Sequence, residues 1–229
     1  MTFLALDTSG DYTVLALADE ASGTVRSATA FEGKRTLSRR LLGELDALLR
    51  AEGLTLSDLT AIAVGLGPGS FTGLRVGVTT AKTLAQVLAI PLIGIGTLDA
   101  YAVTCSGNSR SVVVPVLPSR RGECYAAFYR DDLPGQPEAL SLGELSERLT
   151  SLQEQVILCG AVSLVTQGAN AIKVPMLWTP PEGLAQLASA KIAAEQFDDP
   201  LGLVPLYVVP PHITLPKDRS ILPASDSQR

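Results

Sequence analysis

Hydrophobic residues in the first part of the chain occur in short runs that end at turn-forming residues. Such runs occupy residues 2–7, 12–18 and 24–31, and the turns between them contain glycine, serine and aspartate. Apolar runs bounded in this way are typical of β-strands. Because only a few residues separate them, we expect three antiparallel strands joined as hairpins.

The hydrophobic period then changes from strand-like to helical. Leucines recur at helical spacing from Leu37 to Leu49, and a second long amphipathic segment runs to about residue 89. Apolar runs at residues 61–64 and 91–95 lie before and after this second segment and are interpreted as strands. The predicted order is three strands, helix, strand, helix and strand, which makes a mixed sheet with helices packed against it.

The second half of the chain repeats this order in a looser form. Ser141 and Glu144 are spaced as a capping box at the start of a helix. The predicted strands are residues 111–117, 122–130 and 156–159, and the predicted helices are residues 140–152 and 182–197. The recurrence of the same order indicates two related lobes.

The predicted fold class is therefore α/β, with two lobes that each consist of a mixed sheet flanked by helices. We expect the first lobe to span residues 1–100 and a smaller, divergent second lobe to span residues 101–215. Residues 216–229 are polar and are predicted to form a poorly ordered tail.

Composition narrows the class of protein. Apolar residues make up 46% of the 229 residues and charged residues 18%, so the chain can bury a substantial core. The net charge of −5 argues against strong binding of nucleic acid by this chain alone, since neutralising phosphates needs an excess of lysine and arginine. The single histidine, His212, excludes a zinc site built on paired histidines and is interpreted as a solvated loop residue.

Location can also be predicted from the sequence. The 3 cysteines form no CxxC pair, which indicates reduced thiols in a cytoplasmic protein. The first residues carry Asp7 and Asp11 and no basic region, so no secretory signal is predicted. The longest nearly apolar stretch, residues 84–96, is too short to span a bilayer.

Two turns contain residues that could bind a cofactor. Asp7, Thr8 and Ser9 end the first strand and enter a tight turn, where a carboxylate can hold Mg²⁺ and amides can face a phosphate. The alternative is that Asp7 only caps the amides of its own turn. Gly67 and Gly69 belong to a glycine-rich turn before the second helix. This turn lacks the Gly-Lys-Ser/Thr sequence of a P-loop. No residue is predicted to be catalytic or to bind a metal.

The second helix carries a stripe of small side chains. Gly73, Gly77, Ala81 and Ala85 recur every four residues and clear one face of the helix. Glycine inside a helix costs about 1 kcal/mol relative to alanine, so close approach of another backbone is the expected compensation. That backbone belongs either to the leucine-rich helix of the same lobe or to a helix of another chain. In the second case, Gly77→Leu is predicted to block association while the protein stays folded.

These segments together resemble the TsaB (YeaZ) family. They follow one another in the family's order and spacing over most of residues 1–130, and the long glycine-rich element is highly specific. The matching sequences are LALDTS at residues 4–9, GPGSFTGLRVG at 67–77, AKTLA at 81–85, IPLIG at 90–94, TLDA at 97–100 and RGECYA at 121–126. Beyond residue 130 the likeness is architectural, apart from PLY at residues 205–207.

The resemblance implies a two-lobed actin-like (ASKHA, RNase H-like) fold and a role in threonylcarbamoyladenosine (t6A) modification of tRNA next to the anticodon. The chain would be a non-catalytic subunit that binds and activates the catalytic subunit TsaD as a heterodimer. The ATPase TsaE belongs to the larger complex, and a homodimer forms when the subunit is alone. The implied contact with tRNA is indirect. No cofactor is implied, although a nucleotide could lie at the heterodimer boundary.

The resemblance also implies that the two helices of the first lobe make the partner contact. The implied interface residues are Leu41, Leu45, Leu48, Gly73, Leu74, Gly77, Val78, Ala81, Leu84 and Ala85.

Three departures from the family pattern remove polar groups. Many relatives have a His-Ser pair where this chain has Leu37 and Ser38, and an Asp-Ala pair where it has Pro118 and Ser119. An arginine expected shortly after Tyr207 is replaced by valines 208–209. Independent metal or nucleotide chemistry is therefore less expected, whereas helix packing is unaffected.

Three other functions are the alternatives. An ASKHA-type ATP-binding enzyme would use Asp7 to hold Mg²⁺, but no second catalytic aspartate is evident in the second lobe. A glycoprotease-like peptidase would need more metal ligands than one histidine offers. A tRNA-binding module that acts alone is disfavoured by the acidic charge and the 5% aromatic content.

Overall fold

Two five-stranded mixed sheets form the protein, as described by a computed structural model for residues 1–33, 36–106, 111–120, 122–130, 135–165 and 171–209. The first sheet has the strand order β3-β2-β1-β4-β5. Its strands are β1 (Thr2–Asp7), β2 (Tyr12–Asp19), β3 (Val25–Glu32), β4 (Leu59–Gly65) and β5 (Leu92–Ile95). Strands β1, β2 and β3 pair antiparallel, whereas β4 and β5 run parallel to β1. The order of strands and helices along the chain that was predicted for the first lobe, and its mixed sheet, are confirmed.

The second sheet has the same topology as the first. Its strands are β6 (Ser111–Pro118), β7 (Glu123–Ala126), β8 (Glu138–Ser141), β9 (Gln155–Gly160) and β10 (Ala171–Pro175). Their order is β10-β9-β6-β7-β8, with β6, β7 and β8 antiparallel and β9 and β10 parallel to β6. Each strand of one sheet therefore has an equivalent in the other, and the predicted two-lobed α/β fold is confirmed.

Helices α1 (Leu37–Ala51) and α2 (Phe71–Leu88) follow the first lobe's prediction closely. Helix α4 (Leu142–Ser151) begins with the predicted capping box: the Glu144 N–H donates to Ser141 Oγ at 3.1 Å, and the Ser141 N–H donates to Glu144 Oε2 at 2.8 Å. These hydrogen bonds satisfy amides that a helix start leaves free.

Some predicted elements are wrong in extent or were missed. The strand predicted at residues 122–130 ends at Ala126, and Tyr129 makes only an isolated bridge with Val113. Helix α5 (Pro181–Ala193) ends four residues before the predicted residue 197, and Glu195 beyond it has a left-handed φ of 53°. Helix α3 (Thr97–Cys105) and strands β8 and β10 were not predicted.

Side chains of the first sheet alternate between a leucine-rich face and an alanine-rich face. On β1, for example, Leu4 and Leu6 join the core under α1 and α2, whereas Phe3 and Ala5 join the core under α5. The same alternation occurs on β2 and β4, because successive side chains of a strand point to opposite faces. The small alanine side chains allow α5 to lie close to the sheet.

Each lobe contributes one helix to the packing of the other. Helix α3 follows β5 but packs on β6 and β9, whereas α5 follows β10 but packs on β1, β2 and β5. The two helices meet closely, since a Cβ on Gly183 would overlap the carbonyl oxygen of Ala100. The predicted lobe boundary at residues 100 and 101 lies inside α3 and stays a prediction. His212 and the predicted tail lie outside the described residues.

The chain then returns to the first lobe. The Asp198 N–H donates to the Leu92 carbonyl oxygen at 2.8 Å, and Asp198 Oδ2 accepts from the Gly94 N–H at 2.7 Å. Further along, the Leu206 N–H donates to the Leu66 carbonyl oxygen at 2.8 Å. Residues 198–209 thus run beside β5 and over the glycine-rich turn that precedes α2.

Candidate functional site

Asp7 is fully buried at the end of β1, and both of its carboxylate oxygens accept hydrogen bonds from the chain. Oδ1 accepts from the Ser9 N–H at 2.8 Å and from Ser9 Oγ at 2.6 Å, while Oδ2 accepts from Thr97 Oγ1 at 2.7 Å. Buried carboxylates require such partners. Of the two interpretations of Asp7, the geometry favours the structural one, in which the carboxylate fastens its turn.

Thr97 connects this turn to the glycine-rich turn. Its hydroxyl, which donates to Asp7, accepts from the Gly67 N–H at 3.1 Å, and the Thr97 N–H donates to the Gly67 carbonyl oxygen at 2.9 Å. Gly67 has a φ of 99°, a conformation that a side chain would strain. A Cβ on Gly65 would overlap Asp7 Oδ2. The glycines of this segment therefore serve a buried polar network between β1, β4 and α3.

The small-residue stripe on α2 faces the turn after β1. A Cβ on Gly73 would overlap the carbonyl oxygen of Thr8, and a Cβ on Gly77 would overlap Thr8 Oγ1. The Thr8 hydroxyl donates to the Gly73 carbonyl oxygen at 2.8 Å. At Gly73 and Gly77, the backbone that approaches the helix is therefore the hairpin turn of the same lobe.

Most residues predicted at the partner interface lie in the protein's own core. Leu84 is half-buried, whereas the other members of the set lie on the buried faces of α1 and α2. These buried members are Leu41, Leu45, Leu48, Gly73, Leu74, Gly77, Val78, Ala81 and Ala85. Buried side chains cannot contact a partner unless the fold changes. Contact through these two helices stays a prediction, and other residues of the same helices would have to make it.

A shallow groove between α1 and α2 offers such residues. Its volume is about 470 Å³, and its apolar side chains are Leu42, Val76 and Leu84. Leu42 is 56% exposed, which is unusual for a leucine flanked by core positions. Arg75 and three threonines complete the lining. Sequence reasoning missed Leu42 because it follows the buried Leu41 in an unbroken leucine pattern.

A larger cleft of about 620 Å³ lies between the two lobes. Residues 9–12 of the β1–β2 turn and residues 69–71 line it from the first lobe, and residues 117–120 and 160–163 line it from the second. Pro118 is the last residue of β6, as Asp7 is the last residue of β1. The end of β6 thus carries no carboxylate, in contrast to the end of β1.

Tyr101 of α3 reaches this cleft between the lobes. Its side chain is buried. Burial raises the pKa of the Tyr101 phenol well above its usual range, and the nearby Asp7 charge raises it further. The phenol is therefore neutral at physiological pH and cannot act as a base there.

Two further features concern the described part of the chain only. Within it, no three histidine, cysteine, aspartate or glutamate side chains converge as a metal would require. None of its helices is both long and apolar enough to cross a membrane.

The chain is similar to proteins of tRNA modification. A family model described as "TsaD: tRNA N6-adenosine threonylcarbamoyltransferase" matches residues 30–134. The tRNA threonylcarbamoyladenosine biosynthesis protein TsaB of Escherichia coli is 34% identical over 70% of this chain and 71% of its own length. The TsaB of Bacillus subtilis is 36% identical over 57% of this chain, and the match spans little more than half, 56%, of that relative.

Solved structures share the whole fold. A Pseudomonas aeruginosa protein described as similar to peptidase YeaZ superposes with a TM-score of 0.75 at 26% identity, covering 91% of this chain and 99% of its own. The ethanolamine utilization protein EutJ of Carboxydothermus hydrogenoformans, at 12% identity and a TM-score of 0.54, covers 81% of this chain and 90% of its own. This second likeness concerns the fold alone, which is the actin-like two-lobed arrangement.

Proposed function

This chain belongs to the TsaB family of tRNA threonylcarbamoyladenosine biosynthesis proteins, and from that premise we propose that it is a non-catalytic subunit of t6A synthesis. In this proposal it acts in the cytoplasm and binds and activates a TsaD-type catalytic subunit through α1 and α2. A TsaE-type ATPase completes the larger complex, and tRNA is contacted only through the other subunits.

The exposed groove between α1 and α2 is the observation that carries this proposal. Leu42 lines this groove together with Val76 and Leu84 and is 56% exposed. Val87 lies on α2 outside the groove lining and is 76% exposed. An apolar surface of this kind gains free energy when a partner helix covers it, at roughly 25 cal/mol per Å² buried. A helix of the partner would lie along the groove and cover Leu42.

The kinship of the two subunits supports a helix-to-helix contact. The TsaD family model matches residues 30–134, a range that includes both α1 and α2. A TsaD-type chain would therefore present a related helix pair, and two related pairs can pack around an approximate twofold axis. The same geometry accounts for a homodimer when the partner is missing.

The state of Asp7 supports a non-catalytic role. Its carboxylate is fully buried and accepts three hydrogen bonds, so binding Mg²⁺ would require breaking them. Pro118 occupies the equivalent end of β6 and cannot bind a cation through its side chain. The subunit would act by binding one conformation of its partner more tightly than another.

The docking surface can be tested by measuring association with the TsaD-type subunit of the same organism. We expect Leu42→Asp to weaken the complex about 30-fold or more, because it places a charge in the desolvated centre of the contact. Calorimetry gives the affinity, and the t6A content of tRNA in cells that depend on the variant gives the functional consequence.

Ile172→Asp is the matched control. Ile172 lies on β10 of the second lobe and is 51% exposed, close to the exposure of Leu42. Both variants should melt like the wild type, and only Leu42→Asp should lose the partner. Equal affinity of Leu42→Asp and the wild type would refute docking in the groove.

Calorimetry of the isolated chain with ATP and Mg²⁺ tests the enzyme alternative. The proposal predicts weak binding or none, because β6 ends in Pro118 and the carboxylate of Asp7 already accepts three hydrogen bonds. Micromolar binding would favour an ATP-using enzyme and contradict a purely structural role for Asp7.

A further inference from the structure

Aromatic side chains are concentrated in the cleft between the lobes. The chain has 11 aromatic residues, and 6 of them line this single cavity of about 620 Å³. They come from six different segments of the chain, so no local pattern explains the concentration. These residues are Tyr12, Phe71, Tyr101, Tyr125, Trp178 and Tyr207.

Two aromatic pairs lie at the mouth of the cleft. The rings of Tyr12 and Trp178 are 5.7 Å apart between centroids, and those of Phe71 and Tyr207 are 5.1 Å apart. Each pair joins segments that are far apart in the chain. Trp178 and Tyr207 are nonetheless 40% and 39% exposed, so ring surface is free to stack on a further planar group.

The cleft offers little to a highly charged ligand. Among the described residues, its charged lining consists of Asp11 and Arg120, whose charges are opposite. Both side chains already interact with other groups of the protein. A nucleoside triphosphate with Mg²⁺ needs several cationic or carboxylate partners, whereas an uncharged ring needs apolar faces and few polar contacts.

One polar atom in the cleft lining is unsatisfied. Ser119 Oγ is buried in this lining. Among the side chains of the described residues, it is the single buried oxygen or nitrogen that has no hydrogen-bond partner. Buried polar groups are normally paired, so Ser119 Oγ would gain a hydrogen bond by turning its side chain toward the polar edge of a ligand in the cleft.

We propose that the cleft binds a planar, uncharged heterocycle of nucleoside size, stacked at the aromatic mouth and hydrogen-bonded to Ser119, and that it excludes nucleoside triphosphates. The cavity volume lies within the range of about 300–1,000 Å³ that is usual for small-molecule sites. This binding is independent of the groove between α1 and α2 and needs no partner subunit.

Trp178 is the single tryptophan of the chain, so its fluorescence reports directly on the cleft. The test titrates the full-length protein with adenosine and, separately, with ATP and Mg²⁺. We expect saturable quenching by adenosine and at least about 10-fold weaker binding of ATP, because the described lining offers its phosphates a single cation, Arg120, beside the like charge of Asp11. Tighter binding of ATP, or no saturable change with adenosine up to about 10 mM, would overturn the proposal.

Variants measured by calorimetry then locate the site. Removal of a stacked ring by Trp178→Ala should weaken adenosine binding about 10-fold or more, and Ser119→Ala about 3-fold to 10-fold. Phe197→Ala is the control, since Phe197 is 46% exposed but lies outside the cleft lining. Wild-type affinity of Trp178→Ala, or an equal loss in the control, would refute binding in the cleft.

The same variants separate this site from the docking surface. Trp178→Ala should retain the TsaD-type partner with wild-type affinity and should melt within a few degrees of the wild type. Leu42→Asp should in turn retain adenosine binding. A loss of both ligands in either variant would contradict two independent sites.

Discussion

The substitution Gly77→Ala should destabilise the protein even though it improves helix propensity. Gly77 lies in the second turn of α2, and a Cβ there would overlap Oγ1 of Thr8. That hydroxyl cannot rotate away freely, because it donates to the Gly73 carbonyl oxygen at 2.8 Å inside the lobe. The new methyl group must therefore displace either the hairpin turn or the helix.

Three contributions determine the magnitude. Replacing glycine by alanine inside a helix stabilises it by about 1 kcal/mol. Overpacking a tight core costs about 1–3 kcal/mol. Losing the buried hydrogen bond of Thr8 costs about 1 kcal/mol more. The sum is a net loss of about 2 kcal/mol, which for a protein of this size lowers the melting temperature by about 4–8 °C.

Gly43→Ala is the matched control within α1. A Cβ on Gly43 would have no atom within 4 Å, so only the propensity gain of about 1 kcal/mol applies. Thermal unfolding followed by circular dichroism should therefore show opposite shifts for the two variants. An equal or higher melting temperature for Gly77→Ala than for the wild type would refute the assigned contact with Thr8. Because of this contact, we expect Gly77→Leu to impair folding, whereas the sequence alone predicts that this variant stays folded.

The remaining predictions concern other buried or tethered groups. Asp7→Asn should lower the free energy of unfolding by about 2–4 kcal/mol, because an amide cannot replace a carboxylate that accepts three hydrogen bonds. A decrease of less than about 0.5 kcal/mol, measured by urea unfolding, would contradict this. Burial raises the pKa of Cys124 from 9.0 to about 11, so its stabilising contribution is present below pH 9 and is lost as the pH rises toward 11. The stability difference between wild type and Cys124→Ala should accordingly shrink between pH 8 and pH 11, and a constant difference would exclude this titration. Lys82 Nζ donates to the carbonyl oxygens of Leu201 at 3.3 Å and Leu203 at 3.0 Å. Because Lys82→Met removes both hydrogen bonds, chymotrypsin should cleave residues 201–207 about 5-fold faster in this variant. An unchanged rate would show that these bonds do not hold the segment.

Much of the first lobe could be predicted because its signals are local. The leucines of α1 keep a helical period, and the strands of the first sheet alternate between two buried faces. Helix α3 carries no such signal, since it is enclosed by both lobes and Thr97, Leu98 and Ala100 are all buried. A helix without a polar face has no amphipathic period to detect. Strands β8 and β10, with 4 and 5 residues, are too short for a period.

The site shows a different limit of sequence reasoning. The spacing of Gly73 and Gly77 indicates correctly that a backbone comes close, but it carries no information about which backbone. The approaching residue, Thr8, lies 65 positions before Gly73, and only the fold brings the two together. The exposure of Leu42 likewise depends on where the sheet lies beneath α1, which the leucine pattern does not specify.

The repeat of the two sheets argues for a division of roles between the lobes. In the first lobe the chain between β4 and β5 forms α2, which supplies all but one of the residues that line the proposed docking groove. In the second lobe the described residues between β9 and β10 form only the 3-10 turn Val162–Leu164. The second lobe therefore lacks an equivalent helix pair in its described residues, and a partner that recognises such a pair can dock in one place only. The TsaD family model, which matches residues 30–134, is concentrated on the lobe that carries this surface. The second lobe is left free to diverge as long as it packs α3 and closes the aromatic cleft.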